Sequence, residues 1–183
     1  PIVIKTLKFV DKVIVCDDGS TDLTSEISEH LGCDVIVHPK RLGKGAALRS
    51  LFKRALNLGG EIIVTLDGDG QNDPANIPVL IAPLQKGEVD IVVGSRFLSK
   101  SNNVPFHRII GNNFLSSFTR LLSNNTFKDL TDSQSGFRAY SRTVLEFVKV
   151  QEDGMGVDSQ ILVSASDGHF KAIEVPISVS YNG

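Results

Sequence analysis

The segment with the clearest chemical potential is D-G-D-G-Q at residues 67–71, which directly follows the apolar run at 62–66. Two carboxylates, Asp67 and Asp69, and the side-chain carbonyl of Gln71 are spaced two residues apart, so they can converge on one cation. Oxygen ligands of this kind suit Mg²⁺ and Mn²⁺. Charge at a strand end costs desolvation free energy unless it is paired, and a metal bridging to a diphosphate would pair it. The spacing therefore predicts a Mg²⁺ or Mn²⁺ site with these three residues as ligands.

Three further interpretations of this segment need to be weighed. An EF-hand calcium loop also begins D-x-D, but Asn72 stands where its sharp turn needs glycine, and Pro78 stands where a bidentate glutamate belongs. We reject it. A haloacid-dehalogenase-like phosphatase also places D-x-D-G after a strand, yet that family has Thr or Val where Gln71 stands and normally carries the motif on its first strand. A polar turn or solvated strand end without a ligand is the remaining possibility.

A second pair of carboxylates, Asp17 and Asp18, follows the apolar run at 13–16. Ligands of open α/β sheets bind at the carboxyl ends of strands, and a carboxylate there can accept hydrogen bonds from the N–H groups of uracil or guanine. The alternative is capping of the next helix by Asp17, Asp18 or Ser20. Ser20 or Thr21 is the predicted cap of that helix, which ends at Gly32.

Basic segments also follow predicted strands. R-L-G-K-G at 41–45 is similar to a phosphate cradle, because glycines permit close backbone approach and a helix N-terminus favours anions. A plain strand-to-helix turn is the alternative, since the full P-loop pattern is missing. Arg96 follows another strand and can reach a diphosphate or form a surface ion pair.

Further charged residues lie in the polar second half of the chain. Arg108 and Arg138 are candidates for recognising an anionic acceptor, with solvated arginines as the alternative. Asp158, near the start of a predicted helix, is either a general base or a partner of the helix dipole. The sequence shows no partner for His30, His38 or His169, and for these a structural role is favoured.

The elements that must position these side chains follow from periodicity. Short β-branched runs alternate with helical patterns, which is typical of βα units around a largely parallel sheet. Pro176 within the last strand indicates an edge or a bend. The predicted strands are 13–16, 35–37, 61–66, 90–94 and 172–179, and the predicted helices lie after 20 or 21 to Gly32 and at 43–58, 74–84, 109–122, 141–148 and 156–166.

Composition restricts the function classes. The chain has 183 residues, 19 basic against 21 acidic, so its net charge of −2 offers no argument for nucleic-acid binding. Cys16 and Cys33 are the only cysteines and form no C-x-x-C motif, so neither a disulfide framework nor a zinc site is indicated. A reducing, cytoplasmic compartment is therefore expected. No secretory signal and no apolar run near 18 residues is found, so this chain is not expected to span a membrane by itself.

Taken together, the segments resemble family 2 glycosyltransferases of the GT-A fold, specifically the dolichyl-phosphate mannose and glucose synthase-like group. Single motifs here are weak, but their order and spacing are specific. The resemblance rests on VIVCDDGSTD at 13–22, RLGKGAAL at 41–48, VTLDGDGQNDP at 64–74, DIVVGSRF at 90–97, RIIGN at 108–112, DSQSGFRAYSR at 132–142, GVDSQIL at 156–162 and EVPISVSY at 174–181.

The resemblance implies a role for each matching residue. Asp18, with Asp17, would hold the nucleobase of a donor such as GDP-mannose or UDP-glucose. Ligation of the donor-bound metal would fall to the D-x-D-x-Q segment. The implied donor-binding residues are Asp17, Asp18, Lys44, Asp67, Gly68, Asp69 and Arg96; the implied acceptor-binding residues are Arg108, Ser135 and Arg138; and the implied catalytic residues are Asp69, Arg108 and Asp158.

The family is inverting, which implies a single in-line displacement. A polyprenyl or dolichyl phosphate acceptor is already anionic and needs no strong base, so Asp158 would then position groups, whereas with a saccharide hydroxyl acceptor Asp158 would be the base. A nucleotide-sugar-binding module without catalysis and the phosphatase named above are the candidates from different functional classes. The base, the sugar, the acceptor and the oligomeric state are not determined by the sequence.

The family pattern also sets expectations for the ends of the chain. We expect one GT-A domain over residues 1–183, which begins in a helix at 2–9 and lacks the strand that opens the family's sheet, and which stops before the family's frequent C-terminal extension. Peripheral membrane association is a hypothesis that rests on the acceptor class and on an apolar face at 109–122, for which packing against the sheet is the favoured use. That face comprises Ile109, Ile110, Phe114, Leu115, Phe118, Leu121 and Leu122.

Overall fold

Strands and helices alternate along the chain in the computed structural model, which describes residues 2–98, 123, 127, 129–154 and 156–179. This alternation confirms the predicted α/β class. The helices are α1 (Ile2–Thr6), α2 (Thr24–His30), α3 (Lys44–Asn57), α4 (Ile77–Gln85), α5 (Arg142–Phe147) and α6 (Val157–Asp167), with a 3-10 turn at Pro74–Asn76 before α4. The strands are β1 (Ile14–Asp17), β2 (Asp34–Val37), β3 (Ile62–Thr65), β4 (Ile91–Ser95), β5 (Arg138–Ser141) and β6 (Ala172–Pro176).

The strands of the described ranges form two sheets. β1 and β2 pair in parallel, with Ile14 opposite Asp34. The larger sheet has the order β3-β5-β4-β6, in which β5 is antiparallel to β3 and β4 while β6 is parallel to β4. The sheet is therefore mixed, and β6, which ends at Pro176, is the edge strand that the proline predicts.

β5 is the strand that periodicity did not predict. Its sequence, R-A-Y-S, carries no β-branched run, and it begins with Arg138, a residue type that is seldom fully buried. Nevertheless β5 lies between β3 and β4, and Arg138 is 0% exposed. Pairing on both edges compensates for a weak local preference, because the neighbouring strands supply the hydrogen bonds and the packing.

The core lies on both faces of the larger sheet. Ile91 and Val93 contribute to one apolar cluster and Val92 to the other, as the alternation of side chains along a strand requires. Tyr140 and Ala139 divide between the same two clusters. Because both faces are covered, β4 is buried along its whole length, including its end at Ser95.

Two helix starts show how well local signals work. The predicted helical start near Pro74 is confirmed, as a 3-10 turn that leads into α4 at Ile77. The Asp73 carboxylate caps this turn by accepting a hydrogen bond from Ala75 N–H at 3.2 Å. At α2 the predicted cap at Ser20 or Thr21 is wrong. Asp22 accepts the hydrogen bond of Thr24 N–H instead, and α2 begins there.

None of the helices in the described ranges combines the length and the hydropathy that a membrane crossing requires. The helix and the apolar face predicted at 109–122 lie outside the described residues.

The start of α3 is docked on the loop at 150–154. Gly45 N–H donates to the carbonyl of Asp153 at 3.0 Å, and Arg49 binds both the carbonyl of Val150 and the carboxylate of Asp153. A Cβ atom on Gly45 would overlap the carbonyl oxygen of Glu152. The glycine therefore sets how closely α3 can approach this loop.

We expect Gly45→Ala to lower the free energy of unfolding by about 1–3 kcal/mol, because the added methyl group forces two backbone segments apart. Gly68→Ala is the matched control, since a Cβ atom there would meet nothing within 4 Å. Urea unfolding followed by circular dichroism measures both variants. Equal stabilities for the two would contradict the close packing assigned to Gly45.

Candidate functional site

One ammonium group connects three distant segments of the chain. Lys44, the first residue of α3, places Nζ 2.8 Å from Oδ2 of Asp158 and 3.3 Å from Oδ1 of Asp67. Asp67 lies just beyond β3, and Asp158 lies in the first turn of α6. Burial works against the charged ammonium, but Asp158 and Asp67 outweigh it and raise the pKa of Lys44. The predicted donor-binding lysine is thus a bridge between two predicted site carboxylates.

Gly136 allows this bridge to form. A Cβ atom on Gly136 would lie 2.8 Å from Lys44 Nζ and would overlap Oδ2 of Asp67. The carbonyl of Gly136 is itself held by the hydroxyl of Thr65, which donates a hydrogen bond of 2.8 Å. The glycine belongs to the segment at 132–142, one of those that carry the family resemblance, but its contact with Asp67 has no signal in the sequence.

The two carboxylates differ in their access to solvent. The Asp67 side chain is 42% exposed, whereas that of Asp158 is 5% exposed. Asp67 is therefore open to a ligand, while Asp158 is nearly enclosed and already paired. Such an arrangement gives the site one accessible carboxylate and one that is held in place by Lys44.

The remainder of the D-x-D-x-Q segment forms an exposed turn. Oδ1 of Asp69 accepts a hydrogen bond from the backbone N–H of Gln71 at 3.0 Å. A cavity of about 310 Å³ lies beside this turn, and its lining includes Asp69, Asn72 and Lys5, a basic residue that no sequence motif singled out. The lysine adds positive charge where a diphosphate is expected.

The donor set at residues 67–71 fits a hard divalent cation. Among the described residues, no three side chains of His, Cys, Asp or Glu lie together as a metal-binding group. The carboxylates of Asp67 and Asp69 and the amide oxygen of Gln71 are nevertheless all hard oxygen donors. Asp67 also has a cation, the Lys44 ammonium, at its carboxylate already. Metal ligation by these three residues stays a prediction.

Asp18 is held by the backbone of the loop before α3. Its two carboxylate oxygens accept hydrogen bonds from Leu42 N–H at 2.9 Å and from Gly43 N–H at 2.8 Å. Oδ1 also lies 2.7 Å from Nδ1 of His38. Burial works to raise the pKa of Asp18, but these hydrogen bonds outweigh it and the pKa is lowered.

The neighbouring Asp17 is buried, with 3% exposure. Its Oδ1 accepts the hydrogen bond of Ser20 N–H at 2.7 Å, and hydrogen bonds from Ser20 lower the pKa of Asp17. Asp17 therefore closes the turn after β1, and Asp18 presents the more accessible carboxylate. Nucleobase binding by either residue stays a prediction.

The segment at 41–45, a predicted phosphate cradle or strand-to-helix turn, makes its contacts within the protein. The N–H groups of Leu42 and Gly43 are directed at Asp18, and the space beside Gly43 and Gly45 is filled by the backbone at 152–153. The glycines serve close packing of the protein on itself. These contacts favour the strand-to-helix turn, and phosphate binding by this segment stays a prediction.

Arg96 forms an ion pair that anchors the end of β4. Its Nε and Nη2 bind the two oxygens of Asp132 at 2.7 and 2.6 Å, and its backbone N–H donates to the same carboxylate. Asp132 is completely buried, and its own N–H donates to Glu174 at 2.6 Å. The fork geometry holds the Arg96 guanidinium rigidly at the strand end. Contact of Arg96 with the donor stays a prediction.

Arg138 does not reach a surface in this structure. It is 0% exposed and donates to three backbone carbonyls, those of Ser133, Ser135 and Asp158, at 2.6–2.8 Å. Ser135 is also buried. The prediction that Arg138 contacts the acceptor directly is therefore corrected: the guanidinium positions the backbone at 133–135 and the start of α6. Arg108 lies outside the described residues, so its predicted roles remain predictions.

His38 is a functional candidate that sequence reasoning missed. Its ring contacts Asp18 on one side and the hydroxyl of Ser50 on the other, and Cys16 lies near the same ring. One signal was present: His38 follows β2, and the carboxyl ends of parallel neighbours such as β1 and β2 meet at one sheet edge. The ring of His30, by contrast, contacts the carbonyl of Glu26 in its own helix, as a structural role predicts.

The chain is similar to known proteins over most of its length. The family model described as glycosyl transferase family 2 matches residues 3–148. An uncharacterized protein of Methanocaldococcus jannaschii is 35% identical over 97% of this chain and 75% of its own length. The UDP-N-acetylglucosamine–dolichyl-phosphate N-acetylglucosaminyltransferase of Methanococcus voltae is 33% identical over 93% of this chain and 75% of its own length.

A solved structure is also similar. The glucosyl-3-phosphoglycerate synthase from Mycobacterium tuberculosis, crystallised with Mn²⁺ and UDP-glucose, superposes with a TM-score of 0.71 at 25% identity. The match covers 95% of this chain and 61% of that one, so the chain spans about three fifths of the solved structure. The fold is thus that of the GT-A glycosyltransferases, as expected.

The lowered pKa values of Asp17 and Asp18 predict a loss of stability in acid. The pKa of each carboxyl is lower in the folded state than the value of about 3.9 in the unfolded chain, so between these two pKa values the unfolded chain binds more protons. The stabilisation is therefore present above about pH 4 and is lost as the pH falls through the folded-state pKa. We expect Asp18→Asn to flatten this dependence between about pH 5 and pH 3. Urea unfolding at several pH values measures it, with the exposed Asp11→Asn as control. Parallel curves for Asp18→Asn and the unsubstituted chain would contradict the assignment.

Proposed function

The chain belongs to glycosyl transferase family 2, and we propose that it moves a hexose from a nucleotide-diphosphate sugar to a polyprenyl phosphate such as dolichyl phosphate. It is therefore a glycosyltransferase, and the donor, the acceptor and the dependence on metal are the parts that are proposed. The curated relative from Methanococcus voltae, named for transfer to dolichyl phosphate, supports this acceptor class. The related synthase crystallised with UDP-glucose and Mn²⁺ supports the donor class.

The observation that carries the proposal is the Lys44 bridge. Asp67, the first carboxylate of the D-x-D-x-Q segment, and Asp158, at the start of α6, both lie within 3.3 Å of the same nitrogen. Transfer of a sugar needs the donor diphosphate and the acceptor to meet at one carbon atom in line. The bridge brings the predicted diphosphate end and the predicted acceptor end of the site together, and it adds a positive charge between them.

Asp67, Asp69 and Gln71 would hold the divalent cation. When bound, the cation would neutralise the negative charge that the nucleoside diphosphate acquires as the sugar departs. The chain's own cations lie close to the same place: Lys44 at Asp67, and Lys5 in the cavity beside Asp69. These lysines orient and partly neutralise the diphosphate in this proposal.

The surroundings of Asp158 favour the phosphate acceptor over the hydroxyl acceptor. A general base must reach the proton that it removes. The Asp158 carboxylate is 5% exposed and bound to Lys44, and its backbone carbonyl is bound to Arg138. Such a carboxylate fits the positioning of Lys44 better than proton removal, and an anionic acceptor requires no proton removal.

A phosphatase and a binding module without turnover have less support. The phosphatase would form an aspartyl-phosphate on Asp67, whereas the chain belongs to a glycosyltransferase family. A binding module would keep the same donor contacts. Turnover of a bound donor distinguishes it from the enzyme proposed here.

A thermal-shift screen tests the donor and the metal. We expect one of UDP-glucose, UDP-N-acetylglucosamine and GDP-mannose to raise the melting temperature when Mn²⁺ or Mg²⁺ is present, because binding to the folded state alone stabilises it. Asp69→Asn should lose most of the metal-dependent part, whereas the exposed Asp11→Asn should keep it. No shift with any of these donors would count against the proposal.

Replacement of Asp158 tests the acceptor. With a polyprenyl phosphate acceptor, Asp158→Asn should reduce the rate of transfer only moderately, by about tenfold, because a positioning contact is lost. With a hydroxyl acceptor, the same substitution removes a general base and should reduce the rate by about 10²–10⁴-fold. Radiolabelled sugar transfer to dolichyl phosphate and to saccharide acceptors measures both rates. Asp167→Asn, an exposed change at the other end of α6, is the control. A loss of more than about 10³-fold with dolichyl phosphate would contradict the positioning role.

A further inference from the structure

A buried histidine, His38, contacts Asp18, the carboxylate proposed to bind the nucleobase. His38 is 8% exposed, and its ring lies between Asp18 and Ser50, with Nδ1 2.7 Å from the Asp18 carboxylate and Nε2 2.9 Å from the Ser50 hydroxyl. Its backbone N–H donates to the carbonyl of Asp17 at 2.9 Å. Both the main chain and the ring of His38 are therefore fixed against the end of β1.

The surroundings determine which ring nitrogen carries the hydrogen. Hydrogen bonds lower the pKa of Asp18 despite its burial, so its carboxylate is ionised and can only accept. Nδ1 must therefore be the donor to Asp18, and Nε2 faces the hydroxyl of Ser50 on the other side of the ring. Cys16 faces the same ring from β1, and burial, with Asp18 and Asp17 nearby, raises the pKa of its thiol to about 11, so the thiol is neutral there.

Hydrogen bonds hold the Asp18 carboxylate from three directions. Leu42 and Gly43 donate from the loop before α3, and His38 donates from the end of β2. The loop donors are backbone groups and cannot be removed by substitution of a side chain. Of these three donors His38 alone uses its side chain, so it is the position at which the aim of this carboxylate can be altered by mutation.

We propose that His38 is a positioning residue of the donor site, which through its Nδ1–H holds Asp18 in the orientation that accepts the ring N–H of the donor's nucleobase. This inference rests on the proposed function, in which Asp18 contacts the base. A carboxylate fixed in advance discriminates better than a mobile one, because less ordering is needed when the base binds.

The order Ser50, His38, Asp18 is also that of a nucleophilic triad, and the geometry speaks against that use here. Ser50 lies inside the helix α3, and the ring that would activate its hydroxyl is buried. A nucleophile has to reach the substrate, and a hydroxyl directed at a buried ring from within a helix does not. The hydroxyl instead contacts the side of the ring opposite Asp18 and so helps to hold the ring in place.

Two substitutions separate the two sides of the ring. The side-chain amide of asparagine lies close to the position of Nδ1, whereas that of glutamine extends to the position of Nε2. His38→Asn can therefore keep a donor for Asp18, and His38→Gln keeps only the Ser50 side. His30→Gln is the matched control, since His30 is exposed on α2 and its ring contacts Glu26 of its own helix.

The readout is selectivity between nucleotides that differ at one ring nitrogen. UDP and GDP carry a ring N–H that a carboxylate can bind, whereas CDP and ADP carry an acceptor at the equivalent ring position. Dissociation constants are measured by calorimetry with Mg²⁺ for each nucleotide, and the selectivity is the ratio of the constants within a pair, CDP to UDP or ADP to GDP. General damage to the site weakens both members of a pair and leaves this ratio unchanged. Loss of a fixed Asp18 lowers the ratio.

We expect Asp18→Asn and His38→Gln each to lower the selectivity of the preferred pair about tenfold, as loss of a hydrogen bond to a charged group does. His38→Asn should stay within about threefold of the unsubstituted chain, and His30→Gln should match it. If His38→Gln keeps its selectivity while Asp18→Asn loses it, the role of His38 is overturned and the proposed function stays intact. Equal losses of selectivity in His38→Asn and His38→Gln would have the same meaning. Unchanged selectivity in Asp18→Asn would instead overturn the assignment of Asp18 to the base, and with it this inference.

Discussion

The ammonium of Lys44 is the interaction on which the candidate site depends. Two carboxylates from different elements, Asp67 and Asp158, come close enough to repel each other, and one of them is almost enclosed. Without a counter-ion the free energy of this arrangement would be high, because a buried charge loses its hydration and the like charge adds to the penalty. Lys44 can reach both only because Gly136 has no side chain and because Gly43 and Gly45 let α3 approach the 152–153 backbone. The glycines and the ion bridge therefore form one constraint.

The second acidic strand end is stabilised in a different way. Asp18 accepts hydrogen bonds from two peptide N–H groups and from the His38 ring, and these contacts keep its pKa low despite burial. Asp67 is satisfied by a cation that a bound metal would replace or join. A carboxylate fixed by hydrogen-bond donors can still accept a hydrogen bond from a nucleobase. A carboxylate paired with the Lys44 ammonium suits the proposed diphosphate and metal end of the site. The two ends of the proposed donor site thus differ in their electrostatics.

Two arginines, the partly buried Arg96 and the fully buried Arg138, hold the frame around these carboxylates. Arg96 is clamped by Asp132 in a two-pronged ion pair at the end of β4, and Arg138 binds three carbonyls at the start of β5. Arginine suits such places because its planar group offers five donors in a fixed geometry and is always charged. Through the carbonyl of Asp158, Arg138 also connects the central strand to the residue that Lys44 holds.

The sequence by itself determined the α/β class, the bounds of α3 and the edge position of β6, because these follow from local periodicity, glycine stops and proline chemistry. It also located Asp67 and Asp18 at strand ends, since a carboxylate that follows an apolar run is recognisable from the sequence alone.

Only the tertiary structure decided which charges meet. Lys44 and Asp158 are separated by 114 residues, and Arg96 and Asp132 by 36, so no local pattern predicts either pair. The same reason explains the missed strand β5, the burial of Arg138 and the partners of His38. Each depends on neighbours that the chain brings together from afar, and the energy of a buried polar group is set by those neighbours rather than by the adjoining sequence.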